Sequence, residues 1–230
     1  MKIIDIQEKT VPINSDIKNA YISFAKMDCS VVAIKTDVKI DGKNVVGYGF
    51  HSNGRYSVSE LLKKRFLPRI KEAEEKELLN EEGNNFSPEK IWNVLMRDEK
   101  PGGHGERSTA VGTIDMAVWD IVSKIEKVPL YEHLAEKYGD GKFTNKIFIY
   151  AAGGYYYPGK DIQMLQDEMK SYLDLGISTV KMKIGGAPLK DDLKRIESVL
   201  KLVGDGKNLC VDANGRFDLE TAIEYGRAIE

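Results

Sequence analysis

The sequence predicts an α/β protein in two parts, an α+β domain followed by repeating βα units. Three observations predict it. Three strand-like runs open the chain and a group of helical patterns follows them, the order of an α+β domain. After residue 145 the periodicity alternates strand, helix, strand, helix. The strands of that second part are short and apolar, which suits a parallel sheet buried on both faces.

The elements follow in order. Strands are expected over 2–12, 29–38 and 45–51, with Asp41-Gly42 as the hairpin turn between the second and third. Helical spacing covers 57–77, 87–97 and 107–126. Ser87-Pro88-Glu89 places an N-cap and a first-turn proline at the start of the middle helix. A shorter helix over 129–137 ends against Gly139 and Gly141. The second part begins with a strand at Lys146-Ile-Phe-Ile-Tyr-Ala-Ala, followed by a loop rich in glycine and tyrosine. Helix 160–175, strand 178–184, helix 188–203, strand 208–213 and helix 217–229 complete three βα units. The domains are therefore expected at 1–142 and 143–230.

Such a repeat grows into a (β/α)8 barrel or an open doubly wound sheet. No G-x-G-x-x-G follows any strand, which argues against the dinucleotide-binding version. A full barrel takes ~250 residues, so three units cannot close one. The last strand would leave an unpaired edge. The chain also ends inside an amphipathic helix, so it is expected to be truncated.

Composition narrows the class. A 42% hydrophobic content fills a core, and 30% charged residues suit a hydrated surface. A net charge of −2 gives no reason to expect nucleic acid or an anionic membrane as partner. No apolar run reaches ~18 residues, and the N-terminus lacks a signal peptide's apolar core, so a cytoplasmic protein is expected. Cys29 and Cys210 lie far apart and read as reduced, buried thiols.

The chemistry-bearing residues cluster at two strand ends. Strand 178–184 ends in Lys181-Met182-Lys183, and alternation puts both lysines on one face with Met182 opposite. In a barrel that face is the interior, near the mouth where active sites sit. Burial and mutual repulsion would lower a lysine pKa and turn Lys183 into a base near neutral pH. A K-x-K pattern alone is common and more often describes two solvated lysines on an edge strand. The next strand ends Asp212-Ala-Asn214-Gly215. Alone, Asp212 reads as a turn or helix cap. On consecutive βα strands, Lys-x-Lys and Asp-x-Asn suit proton abstraction beside a carboxylate, with magnesium on Asp212 holding the enolate charge.

Several longer stretches carry a resemblance. They are Ile17–Tyr21, Gly47–Tyr56, Glu99–Arg107, Ala110–Asp120, Tyr150–Gly159, Val180–Pro188 and Val211–Phe217. Together they resemble the mandelate racemase and muconate-lactonising branch of the enolase superfamily, and within it the D-tartrate dehydratases. The resemblance implies an N-terminal capping domain followed by the first three units of a truncated (β/α)7β barrel. It implies Lys183 as the base, Lys181 as its electrostatic partner, Asp212 as the first of three Mg2+ ligands and Asn214 as a group that bonds substrate or tunes the site.

The cap of this family sets specificity, which points to Asn19, Asn53 and Lys100. Lys100 suits a dianionic diacid, although a solvated loop lysine reads as well. Tyr157 is a further substrate candidate that competes with simple aromatic packing. Arg107 reads as an ion pair or loop anchor, as does the neighbouring His104. The helix carrying Thr113, Asp115 and Trp119 resembles the surface by which the cap meets the barrel.

In the family, the other two metal carboxylates and the acidic histidine come from the fourth to seventh strands, which are not among these residues. The implied activity is a Mg-dependent acid-sugar dehydratase, D-tartrate giving oxaloacetate, inactive as the isolated chain. The alternatives are a racemase, epimerase or other acid-sugar dehydratase, or a non-catalytic remnant or complementing subunit. A homo-oligomer, or a chain needing a complementing C-terminal part, is the expected assembly.

Overall fold

In the computed structural model, residues 1–51, 57–103 and 105–230 are described. They divide into two compact units. The first comprises 1–13 with 27–145, and the second 14–26 with 146–230.

The first unit is built on an antiparallel sheet in the order β1 (Ile3–Pro12), β2 (Asp28–Ile40), β3 (Lys43–Phe50). Ile40 pairs with Lys43 across a two-residue loop, and Asp41 and Gly42 both have positive φ (51° and 76°). Those signs define the mirror-image turn that matches strand twist. A helical run follows: α1 (Val58–Leu61), a π turn (Leu62–Phe66) and α2 (Leu67–Glu72). The expected helix over 57–77 stops early. Ala73 turns extended (ψ 144°), and a Glu74–Glu77 capping box starts a separate 3-10 turn. Reciprocal capping satisfies backbone donors there without continuing the helix.

Helices α3 (Pro88–Met96), α4 (Glu106–Glu126) and α5 (Leu130–Tyr138) complete the first unit. Ser87 Oγ accepts from Lys90 N (3.3 Å), the cap expected from the sequence. Helix α4 lies tight on β3. A Cβ on Gly47 or Gly49 would collide with the carbonyl oxygens of Ala117 and Thr113. Thr113 is accordingly buried and packs under β3 inside this unit. Val32, Ile34, Leu62, Phe66, Leu95 and Ile114 are fully buried in the core between sheet and helices.

The second unit carries a parallel sheet, β4 (Ala151–Gly153), β5 (Val180–Lys183) and β6 (Leu209–Asp212), in that order. Helices α6 (Ile162–Asp174), α7 (Leu189–Val203) and α8 (Leu219–Ile229) alternate with the strands. Asp161 and Asp218 cap α6 and α8 through 2.8 Å bonds from Met164 N and Thr221 N. Val180, Met182, Leu165, Met169, Ile196 and Val199 form a core between the sheet and the helices.

Several expectations change. Segment 14–26 was read with the cap but packs with the second unit, held by a Lys18–Tyr156 bridge with bonds of 3.2 and 3.0 Å. The first parallel strand is shorter than 146–152, because its ladder begins only where Ala151 meets Val180. Ile147 and Phe148, ahead of that register, stand 82% and 73% exposed. Cys29 and Cys210 are free thiols, half-buried instead of buried. Among the described residues no helix is long and apolar enough to cross a membrane.

Candidate active site

Strand alternation arranges the site. Val180 and Met182 face the helices and are fully buried, so Lys181 and Lys183 point from the opposite face of β5. Parallel pairing sets Lys183 beside Asp212 on β6. Lys183, only 4% exposed, donates to Asp212 Oδ2 at 2.7 Å. The Lys181 ammonium lies 3.3 Å from the same oxygen. Asp212 Oδ1 accepts from Asn214 N at 2.8 Å, and Asn214 takes the left-handed conformation (φ 51°) that this tight turn requires.

One carboxylate thus sits between two ammonium groups. Burial alone would raise the Asp212 pKa, but hydrogen bonds from Lys183 and from Asn214 N–H outweigh it and hold the carboxyl at about 2. The Lys181 pKa is raised above its ordinary value. Burial would lower it, but bonds to Tyr150 and Asp212 raise it.

Aromatic faces complete the cluster. The Lys183 ammonium lies 5.1 Å from the Tyr155 ring centroid, and that of Lys181 lies 5.1 Å from Tyr150. Lys181 also donates to Tyr150 Oη at 3.4 Å. The sequence reading did not single out either tyrosine, although both flank the strand end that it marked. It also missed Asp192 and Arg195, whose signal was an aspartate four residues before Ile196 on the apolar stripe of α7.

The other candidates have separate surroundings. Asn19 belongs to the second unit, and its Oδ1 accepts from Tyr21 N (2.8 Å) and Ile22 N (2.7 Å), holding a turn. Asn214 is exposed, and its backbone serves Asp212. Tyr157 lies under the Lys160 ammonium, 4.9 Å from ring centroid to nitrogen. It lines a cavity of about 340 Å³ with Tyr155, Lys160, Lys194 and Arg195, a lining that excludes Lys181, Lys183 and Asp212. Lys100 is exposed on a loop of the first unit, and its carbonyl accepts from Arg107 at 2.7 Å. Arg107 is buried and also holds Glu99 and Gly102 O, a loop anchor. Asn53 and His104 lie outside the described residues.

Magnesium prefers several oxygen ligands and gives up its water reluctantly. Among the described residues, no three His, Cys, Asp or Glu side chains gather to hold a metal. Asp212 is a single carboxylate whose oxygens are taken by two ammonium groups and a backbone N–H. These residues do not by themselves fit the ion.

Two lysines at one strand end and a carboxylate on the next parallel strand, after an antiparallel α+β unit, place the chain in the α/β class with parallel βα units. Comparison with known proteins agrees. The family model described as "Enolase C-terminal domain-like" matches residues 164–230. Arabinonate dehydratase of Saccharolobus solfataricus is 29% identical over 185 residues, covering 80% of this chain and 44% of that protein. L-talarate/galactarate dehydratase of Salmonella typhimurium is 32% identical over 155 residues, covering 66% of this chain and 36% of that protein. Among solved structures, a racemase from Streptomyces coelicolor with bound magnesium superposes with a TM-score of 0.73 at 22% identity. That match covers 99% of this chain and 59% of the racemase. In family model, relatives and fold the chain is similar to mandelate racemase-like proteins of the enolase superfamily. The chain spans about half the length of the curated relatives it matches.

Proposed function

We propose that this chain carries the proton-abstracting part of an acid-sugar dehydratase site, with D-tartrate as the substrate. The observation that carries the reading is the buried Lys183 ammonium, 2.7 Å from an Asp212 carboxylate on the adjacent parallel strand. Lys183, once neutral, takes the proton on the carbon next to the substrate carboxylate. The C–H bond breaks, an N–H bond forms, and the electron pair moves into the carboxylate as an enediolate. Lys181 stabilises that charge as a neighbouring cation. Return of the electron pair expels the β-hydroxyl, which leaves as water when an acid supplies a proton. From D-tartrate, the resulting enol tautomerises to oxaloacetate.

Lys100, Asn19, Asn53, Tyr157 and Asn214 are the proposed substrate contacts. Asn19 would use its amide nitrogen, since its Oδ1 already holds a turn. A magnesium-dependent version needs carboxylates beyond Asp212. The resemblance also implies a histidine acid from a later strand, and residues 146–230 contain no histidine. That observation favours a second reading, a subunit that is silent until complemented.

The test pairs the chain with the C-terminal half of an acid-sugar dehydratase and assays a panel of aldaric and aldonic acids. Loss of the β-hydroxyl from D-tartrate, abolished in Lys183→Ala, is the expected result. Epimerised acid with no loss of water would give the racemase reading. Turnover by the uncomplemented chain would overturn the expectation that it is inactive alone.

A further inference from the structure

The second unit contains a buried charged group that the proton chemistry does not use. Asp192, on the first turn of α7, is fully buried. Its Oδ1 accepts from Tyr156 Oη (2.8 Å) and Arg195 Nη1 (2.8 Å). Its Oδ2 accepts from Gly185 N (2.6 Å) and Tyr225 Oη (3.1 Å). Every one of these partners leads back to the end of β5 or braces it. Arg195 Nη1 donates to Lys183 O (2.9 Å), and Nη2 to Gly154 O (2.6 Å) beyond the end of β4. Tyr156 Oη accepts from Gly186 N (3.0 Å), and its ring lies 4.1 Å under the Arg195 guanidinium.

The glycines make the device specific. Gly185 has a φ of 81°, a left-handed turn with no helix or sheet to hold it. A Cβ on Gly186 would strike the Tyr156 ring, so the tyrosine seats directly on the turn. The turn begins two residues after Lys183. Where its backbone goes, the ammonium goes.

We propose that Asp192, with Arg195 and Tyr156, is a positioning residue that clamps the Lys183-to-Gly186 backbone and so fixes the Lys183 ammonium against Asp212. The clamp stands on geometry alone. Its catalytic meaning rests on the reading of Lys183 as the base.

Buried carboxylates with four donors are costly to disturb, so the test needs a mild variant beside the direct one. The chain is labelled at the lysine Cε and Nζ positions, and the Lys183 resonance is assigned by its loss in Lys183→Arg. In the wild type it is expected to stand apart from exposed lysines, shifted by the Tyr155 ring and by its pair with Asp212. In Asp192→Asn, and in Tyr156→Phe, which removes only an oxygen, it is expected to move at least halfway to the exposed-lysine position. Lys160, buried and paired with Glu168, reports on the fold and is expected to hold its shift. An unmoved Lys183 resonance in a folded Tyr156→Phe chain would overturn the clamp, whether or not Asp192→Asn folds. If instead Lys183→Ala retains full activity in the complemented enzyme, the base assignment fails while the clamp stands.

Discussion

At the scale of single residues the site is governed by one anion shared by two cations. The Asp212 carboxyl is held near 2, below its ordinary range near 3.9. A depressed carboxylate adds stability above its unfolded pKa, and that stability is lost as pH falls through the folded value. The stability difference between wild type and Asp212→Asn is therefore expected to shrink as pH drops from about 4 to about 2. Denaturant unfolding at stepped pH values measures it, and a difference independent of pH would show that the pair adds nothing. In the complemented enzyme, Lys183→Ala should lower kcat by roughly 10²- to 10⁴-fold, the range for a lost general base. Steady-state rates on D-tartrate check this, and a change confined to KM would assign Lys183 to binding.

At the scale of elements, close packing and capping decide. Gly49 lets β3 lie directly on α4, where a Cβ would enter the Thr113 carbonyl. Gly49→Ala is expected to cost roughly 2 kcal/mol or more, because neither backbone can move without disturbing the core. Gly103, with nothing within 4 Å, serves as the comparison, and Gly103→Ala is expected to be nearly neutral by thermal unfolding. Ser87→Ala removes the bond to Lys90 N and should cost about 1 kcal/mol, a typical N-cap loss.

At the scale of the whole molecule the parallel sheet is three strands wide, with β4 and β6 at its edges. Ahead of β4, Ile147, Phe148 and Ile149 are exposed apolar residues next to an edge. Such an edge invites pairing with other chains. The chain is expected to self-associate with rising concentration, and Phe148→Lys to reduce that association, both read by sedimentation velocity. Equal sedimentation of the two forms would show that this segment takes no part.

The order of elements and the Lys181/Lys183 and Asp212/Asn214 pairs were legible in the letters. Each depends on a local rule: period-2 alternation, helical spacing, a two-residue turn or a cap. The length of β4 was not legible, since a strand exists only where a partner strand meets it in register. Neither was the home of Asn19, because segment 14–26 is tied down by Tyr156, some 130 residues away. The raised pKa of Lys181 was not legible for the same reason: repulsion between near neighbours can be counted from sequence, but an anion brought in from the next strand cannot. Sequence alone determined which groups face one side of each strand. Only tertiary structure decided which strands stand together, and with them the charge that each lysine meets.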